Sequence, residues 1–382
     1  MKQMNRIMIA ALLMLVLIPV SDAAGQSTPT SQTFKVQKGG NLVVDVDNAG
    51  ASVNVKVWSK LEVSVTAHGI RESDLEDLEI TQTGNDVSVF FDPGNSRDSR
   101  GRIRFTISVP SEFNLDIGTS GGDVEVTGNI VGTLDAGTAG GDIAVDDVKG
   151  ELGLRTAGGD IEAGEVDGDA SLKTAGGDIE VGDVTGDLTA KTAGGDIEAG
   201  EVGGDLSAGT AGGDISCEGV GGEADTGTAG GDIELGVIKG DITAKTAGGD
   251  IEVEGATGKA VAKTAGGDIR LAGIAGFVKA ATAGGDIYVE LDPSNASTSS
   301  METKGGDVDL VLPANAKVTI EALIRLRDWD HRDADDYDIT SDFKAEAHDR
   351  SDSEVRARYV INGGGKVISL ETVNGNIRIR KQ

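Results

Sequence analysis

Aromatic residues make up only 3% of this 382-residue chain, which also holds one cysteine, three histidines and six prolines. A globular core of ordinary thickness draws on Phe, Tyr and Trp for much of its buried area, so their scarcity excludes such a core. A thin core between two facing sheets, about 10 Å apart, needs only Val, Ile, Leu and Ala. The single cysteine, Cys217, excludes a disulfide within the chain, and its strand position in a repeat marks it as a packed small residue. The histidines, His68, His331 and His348, accompany no serine or cysteine motif of nucleophilic catalysis. Positive charge is scarce too: 34 Lys and Arg face 64 Asp and Glu, a net charge of −30. That balance argues against nucleic acid and anionic membrane surfaces as partners, and it suits cation binding and high solubility.

Long apolar runs are missing except at the N-terminus. Lys2 and Arg6 precede the apolar stretch Ile7 to Val20, and Ser21-Asp22-Ala23 offers small residues for cleavage. Residues 1–23 are therefore expected to be a secretory signal peptide. The stretch is short for a spanning anchor, and no cysteine follows it to carry a lipid. No transmembrane segment is expected after cleavage.

Glycine is abundant, with 58 residues, and so is repetition. Thr-Ala-Gly-Gly-Asp-Ile occurs nine times between Thr138 and Thr282, always 18 residues apart. Its aspartates are Asp142, Asp160, Asp178, Asp196, Asp214, Asp232, Asp250, Asp268 and Asp286. A short fixed period without insertions is the mark of a solenoid, in which each residue type forms a column along the stack. Within one repeat, Gly177 to Gly194, aliphatic and polar residues alternate at Ile179-Glu180-Val181 and again at Leu188-Thr189-Ala190. Alternation is the pattern of a strand with one buried and one wet face. Gly177-Asp178-Ile179 recurs nine residues on as Gly186-Asp187-Leu188, so each coil contributes one strand to each of two sheets. A three-sided coil of hexapeptides would need aliphatic residues at Thr185 and Lys191, where there are none. Glycines are expected at the corners for their backbone freedom.

The expected fold is an all-β, single-chain parallel β-solenoid with 18-residue coils and two short strands per coil, capped at both ends by less regular β segments. After a linker over 24–34, N-terminal capping coils span 35–117, the repeat block spans 118–310, and a C-terminal cap spans 311–382. About eleven coils at roughly 4.8 Å each give the repeat block a length near 50 Å. Two outward columns differ in charge. Glu162, Glu180, Glu198, Glu234 and Glu252 follow the repeat aspartates by two residues, while Arg155, Lys173, Lys191, Lys245 and Lys263 precede the threonines.

The strand ending in Val109-Pro110 leads into Thr119-Ser120-Gly121-Gly122-Asp123-Val124. Gly-Asp-Ile-x-Val coils follow, and the chain closes with Gly363-Gly364-Gly365 and Thr372-Val373-Asn374-Gly375-Asn376-Ile377. Together these segments resemble the bacterial "putative adhesin" domain family of unknown function, over nearly the whole mature chain. The resemblance implies an exported β-solenoid and carries no catalytic residues. This chain differs from the pattern in its many near-identical coils.

The aspartate column is the first candidate site. Calcium-binding β-rolls also have nine-residue half-turns, but with Gly-Gly-x-Gly-x-Asp-x-aliphatic spacing. Here Asp follows the second glycine directly, so the ligand spacing differs, and the ordinary expectation is that each aspartate accepts backbone N–H bonds at its own corner. The nine aspartates stand as candidates for calcium or diffuse cation binding, and no other cofactor is expected. The acidic loop Asp328 to Asp338 has oxygen and imidazole ligands but lacks the glycine and closing glutamate of a calcium loop. Carboxylates repeated in every coil single out no acid or base, and the irregular loops that build a lyase or hydrolase groove are nearly absent. One threonine per coil is a thin basis for ice binding.

The leading expectation is an exported, non-catalytic structural or adhesive module, monomeric, with a cell-surface, envelope or polysaccharide partner. It would act in the periplasm, on the cell surface or after release. A cation-binding surface solenoid is the alternative, and a carbohydrate-active β-helix is a third.

Overall fold

A computed structural model describes residues 29–48, 50–94, 103–293, 298–327 and 337–382. The expected signal peptide, residues 24–28 of the expected linker and most of the acidic loop lie outside these residues. The rest of the linker is not a linker: its alternating residues form the strand Thr30–Lys35, which pairs with Glu62–His68. The chain divides into two compact units, Met1–Lys149 and Gly150–Gln382.

In the second unit each coil places one strand in each of two parallel ladders. Ile161–Ala163, Ile179–Val181 and Ile197–Val202 stack in register in the first ladder. Ala170–Lys173, Leu188–Lys191 and Leu206–Gly209 stack in the second. The aliphatic residues of both ladders are buried: Ile179 and Leu188 are each 1% exposed. The fold is thus the all-β parallel solenoid that the alternation predicts. Its core is a set of columns, Ile over Ile and Leu or Ala over Leu or Ala, one strand spacing apart.

A third inward column joins these two. Val184 is 1% exposed and makes isolated parallel bridges to Val166 and Val202. From Ile197 on, the first strand lengthens to take this position in, as in Ile233–Ile238 and Ile269–Ile274. Inward positions thus fall at Ile179, Val184 and Leu188, five and four residues apart, which is why a count by sixes finds no hydrophobic column.

The caps are built differently from the coils. In the first unit Gly40–Val46 lies between Asp86–Phe91 and Phe113–Thr119, parallel to both. Ser52–Trp58 lies likewise between Arg104–Pro110 and Val124–Thr127. The chain therefore winds one coil, steps outward to lay the next on its far side, and returns to its near side. Antiparallel strands finish the outer end: Leu78–Thr83 pairs with Asp86–Phe91, and Glu62–His68 pairs with Arg104–Pro110 and Thr30–Lys35. Phe91, Phe105 and Phe113 fill this cap and are fully buried, with the Phe91 and Phe105 ring centroids 6.0 Å apart.

In the second unit the last strands of the chain are inserted rather than appended. Lys366–Val373 lies between Ser299–Glu302 and Val318–Arg325. Ile377–Lys381 lies between Val308–Leu312 and Ile339–Ser341. Glu354–Ile361 and Ala347–Arg350 then continue beyond Val318–Arg325 as antiparallel strands. A stack that ended on a coil would expose a row of backbone N–H and C=O groups of the kind that templates further pairing. Short antiparallel strands rich in charge, such as Ala347–Arg350, blunt that edge.

Candidate functional site

The repeated polar residues are used between coils. The carboxylate Oδ1 of Asp178 accepts the backbone N–H of Asp196 at 2.8 Å, and Asp196 accepts that of Asp214 at 2.8 Å. Asp214, Asp232, Asp250, Asp268 and Asp286 each accept the next coil's N–H at 2.7 Å, the last from Asp307. Asp160 accepts the N–H of Asp178 at 2.9 Å. Asp142 donates its own N–H to Asp123 at 3.2 Å. The bonds therefore run from coil to coil, not within one corner as the sequence suggests. The physical reason is the stacking of parallel coils, which sets each carboxylate against the equivalent N–H one layer on. A second ladder of this kind follows the half-repeat: Asp187 donates to Asp169, Asp205 to Asp187, and Glu223 to Asp205.

The threonine column is structural, buried at most levels and half-buried at Thr210 and Thr228. Thr192 Oγ1 donates to the carbonyl oxygen of Gly177 in the preceding coil at 2.8 Å and accepts the N–H of Gly195 in its own corner at 3.4 Å. Thr210, Thr228, Thr246, Thr264 and Thr282 repeat the bond to the preceding coil. Such inward hydroxyls offer no regular surface to ice. Gly194 and Gly195 of this corner are not in the left-handed φ region, contrary to the expected role in backbone freedom. A Cβ on Gly195 would stand 2.2 Å from Asp178 Oδ1 and 2.3 Å from the carbonyl oxygen of Gly177. Glycine is required there because the next layer lies so close.

All nine repeat aspartates are exposed. Among the described residues no three His, Cys, Asp or Glu side chains gather as a metal-holding group. Asp241 accepts the N–H of Lys259 at 2.8 Å and pairs with its Nζ at 3.2 Å. The backbone hydrogen bond, followed by that ion pair, holds its carboxyl below the ordinary range. Cys217 is buried at a strand position, and desolvation pushes its thiol up to about 11, far from a reactive thiolate. His348 Nε2 stands 3.6 Å from Asp338 at the described end of the acidic loop.

One outward cluster was hidden in the sequence. Arg270 pairs with Glu252 at 3.1 Å and lies over the Tyr288 ring, 4.6 Å from its centroid. Arg380 approaches the same ring at 5.7 Å and donates to Asp309 through Nε and Nη2, at 2.8 and 2.5 Å. The Tyr288 hydroxyl donates to Glu290, which raises its phenol. Arg270 and Tyr288 interrupt the glutamate column, and that break is the only sequence signal of the cluster.

Fold and ladders define a class: a parallel β-solenoid whose repeated polar groups join coil to coil. The profile of the family described as Toastrack DUF4097 matches twice, over residues 41–227 and 200–380, and the chain belongs to that family. Several solved structures match the chain at low identity and low TM-score. A "putative adhesin" from Bacteroides fragilis shares 10% identity over 93% of this chain and 97% of its own, with a TM-score of 0.26. A "putative cell adhesion protein" from Clostridium sporogenes shares 9% over 93% and 100%, with a TM-score of 0.17. A "putative lipid binding protein" from Parabacteroides distasonis shares 10% over 92% and 96%, with a TM-score of 0.20. Likeness at this level bears no functional weight. No curated protein matches the chain. No helix among the described residues is long and apolar enough to cross a membrane.

Proposed function

We propose that this chain is an exported, non-catalytic interaction module of the bacterial envelope, a scaffold that presents repeated side-chain columns to a surface or polysaccharide partner. The observation behind this reading is how the repeated aspartates and threonines are used. Each accepts or donates a hydrogen bond to the neighbouring coil, so their repetition is accounted for by stacking. The outward columns are what remains for recognition. Export rests on the basic start and apolar stretch of residues 1–23. Fractionation of the producing cell, together with adhesion of cells carrying or lacking the chain, tests the proposal. A cytoplasmic chain, or unchanged adhesion and envelope binding, would refute it. A second reading, cation binding, is favoured by the stacking of carboxylates one strand spacing apart. Calcium titration by calorimetry separates the two, because only the second expects a saturable heat of binding.

A further inference from the structure

The outward faces of the two ladders carry opposite charge in the same coils. In the first ladder Glu162, Glu180 and Glu198 stand directly over one another, followed by Ser216, Glu234 and Glu252. In the second ladder Arg155, Lys173 and Lys191 stack, followed by Gly209, Gly227, Lys245 and Lys263. Coil by coil, Glu162 is followed by Lys173, Glu180 by Lys191, Glu234 by Lys245 and Glu252 by Lys263. The coil whose acid position is neutral, Ser216, has a neutral base position as well, Gly227. Where the acid column turns basic at Arg270, the base column loses its lysine to Ala281. All eight paired residues are exposed. Of them only Glu252 forms an ion pair with the described residues, to Arg270.

We infer that a second copy of this chain docks laterally, with the acid column of one copy against the base column of the next, coil beside coil. This goes beyond the adhesive role proposed above and replaces the monomer expected from the sequence. Each column repels itself along its length, and a face of opposite sign relieves both repulsions at once. The two columns lie in the same coils, so their periods are identical. Once one glutamate meets one lysine, the other three pairs fall into register; the neutral Ser216 level meets the neutral Gly227 level, and Glu198 meets the neutral Gly209. The two contacting patches are different, so the contact is heterologous and leaves a free face on each copy. It therefore builds an open-ended array and does not close as a dimer. Exposed ion pairs are individually weak and are screened by salt, so the array belongs to low ionic strength or to high local concentration.

The test uses the purified full chain without any other partner, so its outcome is independent of adhesion. One variant carries Lys173→Gln, Lys191→Gln, Lys245→Gln and Lys263→Gln. The other carries Glu162→Gln, Glu180→Gln, Glu234→Gln and Glu252→Gln. These move the net charge from −30 to −34 and −26, so two unlike copies repel at long range about as strongly as two native ones. By sedimentation at low ionic strength the native chain is expected to form assemblies larger than pairs that disperse as salt is added. Each variant alone is expected to be monomeric. Their mixture is expected to stop at one-to-one pairs, because only one acid face and one base face remain. A native chain that stays monomeric, a single variant that associates as the native chain does, or a mixture that stays monomeric overturns the inference.

Discussion

The two glycines of each corner look alike in sequence and differ in the structure. Take Gly194 and Gly195. A Cβ on Gly194 meets the carbonyl oxygen of Gly176 at 3.0 Å, and its next contact is at 3.7 Å. A Cβ on Gly195 meets Asp178 Oδ1 at 2.2 Å, the carbonyl oxygen of Gly177 at 2.3 Å and the Gly177 carbonyl carbon at 2.5 Å. Two of those three atoms are backbone of the adjoining layer, which cannot turn aside as a side chain can. The third is the carboxylate oxygen that receives the N–H of Asp196 at 2.8 Å, so displacing it also breaks a rung of the aspartate ladder. Overpacking of this kind costs about 1–3 kcal/mol, and loss of the charged hydrogen bond adds about 1.5 kcal/mol. Gly→Ala also narrows the unfolded ensemble, a gain of about 0.4–1 kcal/mol that applies at both sites. Gly195→Ala should therefore destabilise by about 2–4 kcal/mol, while Gly194→Ala should lie within about 1 kcal/mol of the native chain. Stacked repeats open locally, so amide exchange at Asp196 and Ile197 is the fitting assay, with the urea midpoint beside it. Equal effects at the two glycines, or a larger one at Gly194, would refute the close-approach account of the corner.

Three more outcomes are expected. Deleting the 18-residue coil Thr192 to Gly209 rejoins equivalent positions and should leave a folded chain by circular dichroism and protease resistance, whereas deleting nine residues, Thr192 to Gly200, sets each later strand on the wrong ladder and should not. Thr192→Val removes the bonds to Gly177 and Gly195 and should cost about 1–3 kcal/mol by urea unfolding, with Thr192→Ser recovering most of the loss. Asp241, held below its ordinary value of 3.8 chiefly by the Lys259 N–H, contributes stability that is present above that value and lost as pH falls through the lowered one. Carboxyl NMR should place its titration below 3.8, and Asp241→Asn should reduce the acid-induced fall in the unfolding midpoint.

Much of the candidate surface was legible because a solenoid turns sequence period into spatial columns. Glu180 and Lys191 are outward, as the alternation with Ile179 and Leu188 requires. Other features were not legible. The Arg270, Tyr288 and Arg380 cluster joins residues whose neighbourhood depends on where the final strand is inserted, and nothing local to Arg380 announces it. Val184 was obscured because a bridge of one residue leaves no alternation to detect.

By itself the sequence determined the repeat length, the two ladders, the inward aliphatic columns and the outward charge columns. An 18-residue period without insertions admits one stacking register, and reversing a strand's faces would bury glutamate or lysine. Only the tertiary structure decided the partner of each hydrogen bond and the order of the end coils. Whether Asp178 accepts an N–H from its own corner or from Asp196 depends on the distance between layers, a property of stacked backbone that no single repeat contains. That Lys366–Val373 slides between Ser299–Glu302 and Val318–Arg325 depends on which exposed edge a late strand meets, and backbone edges are alike whatever side chains they carry.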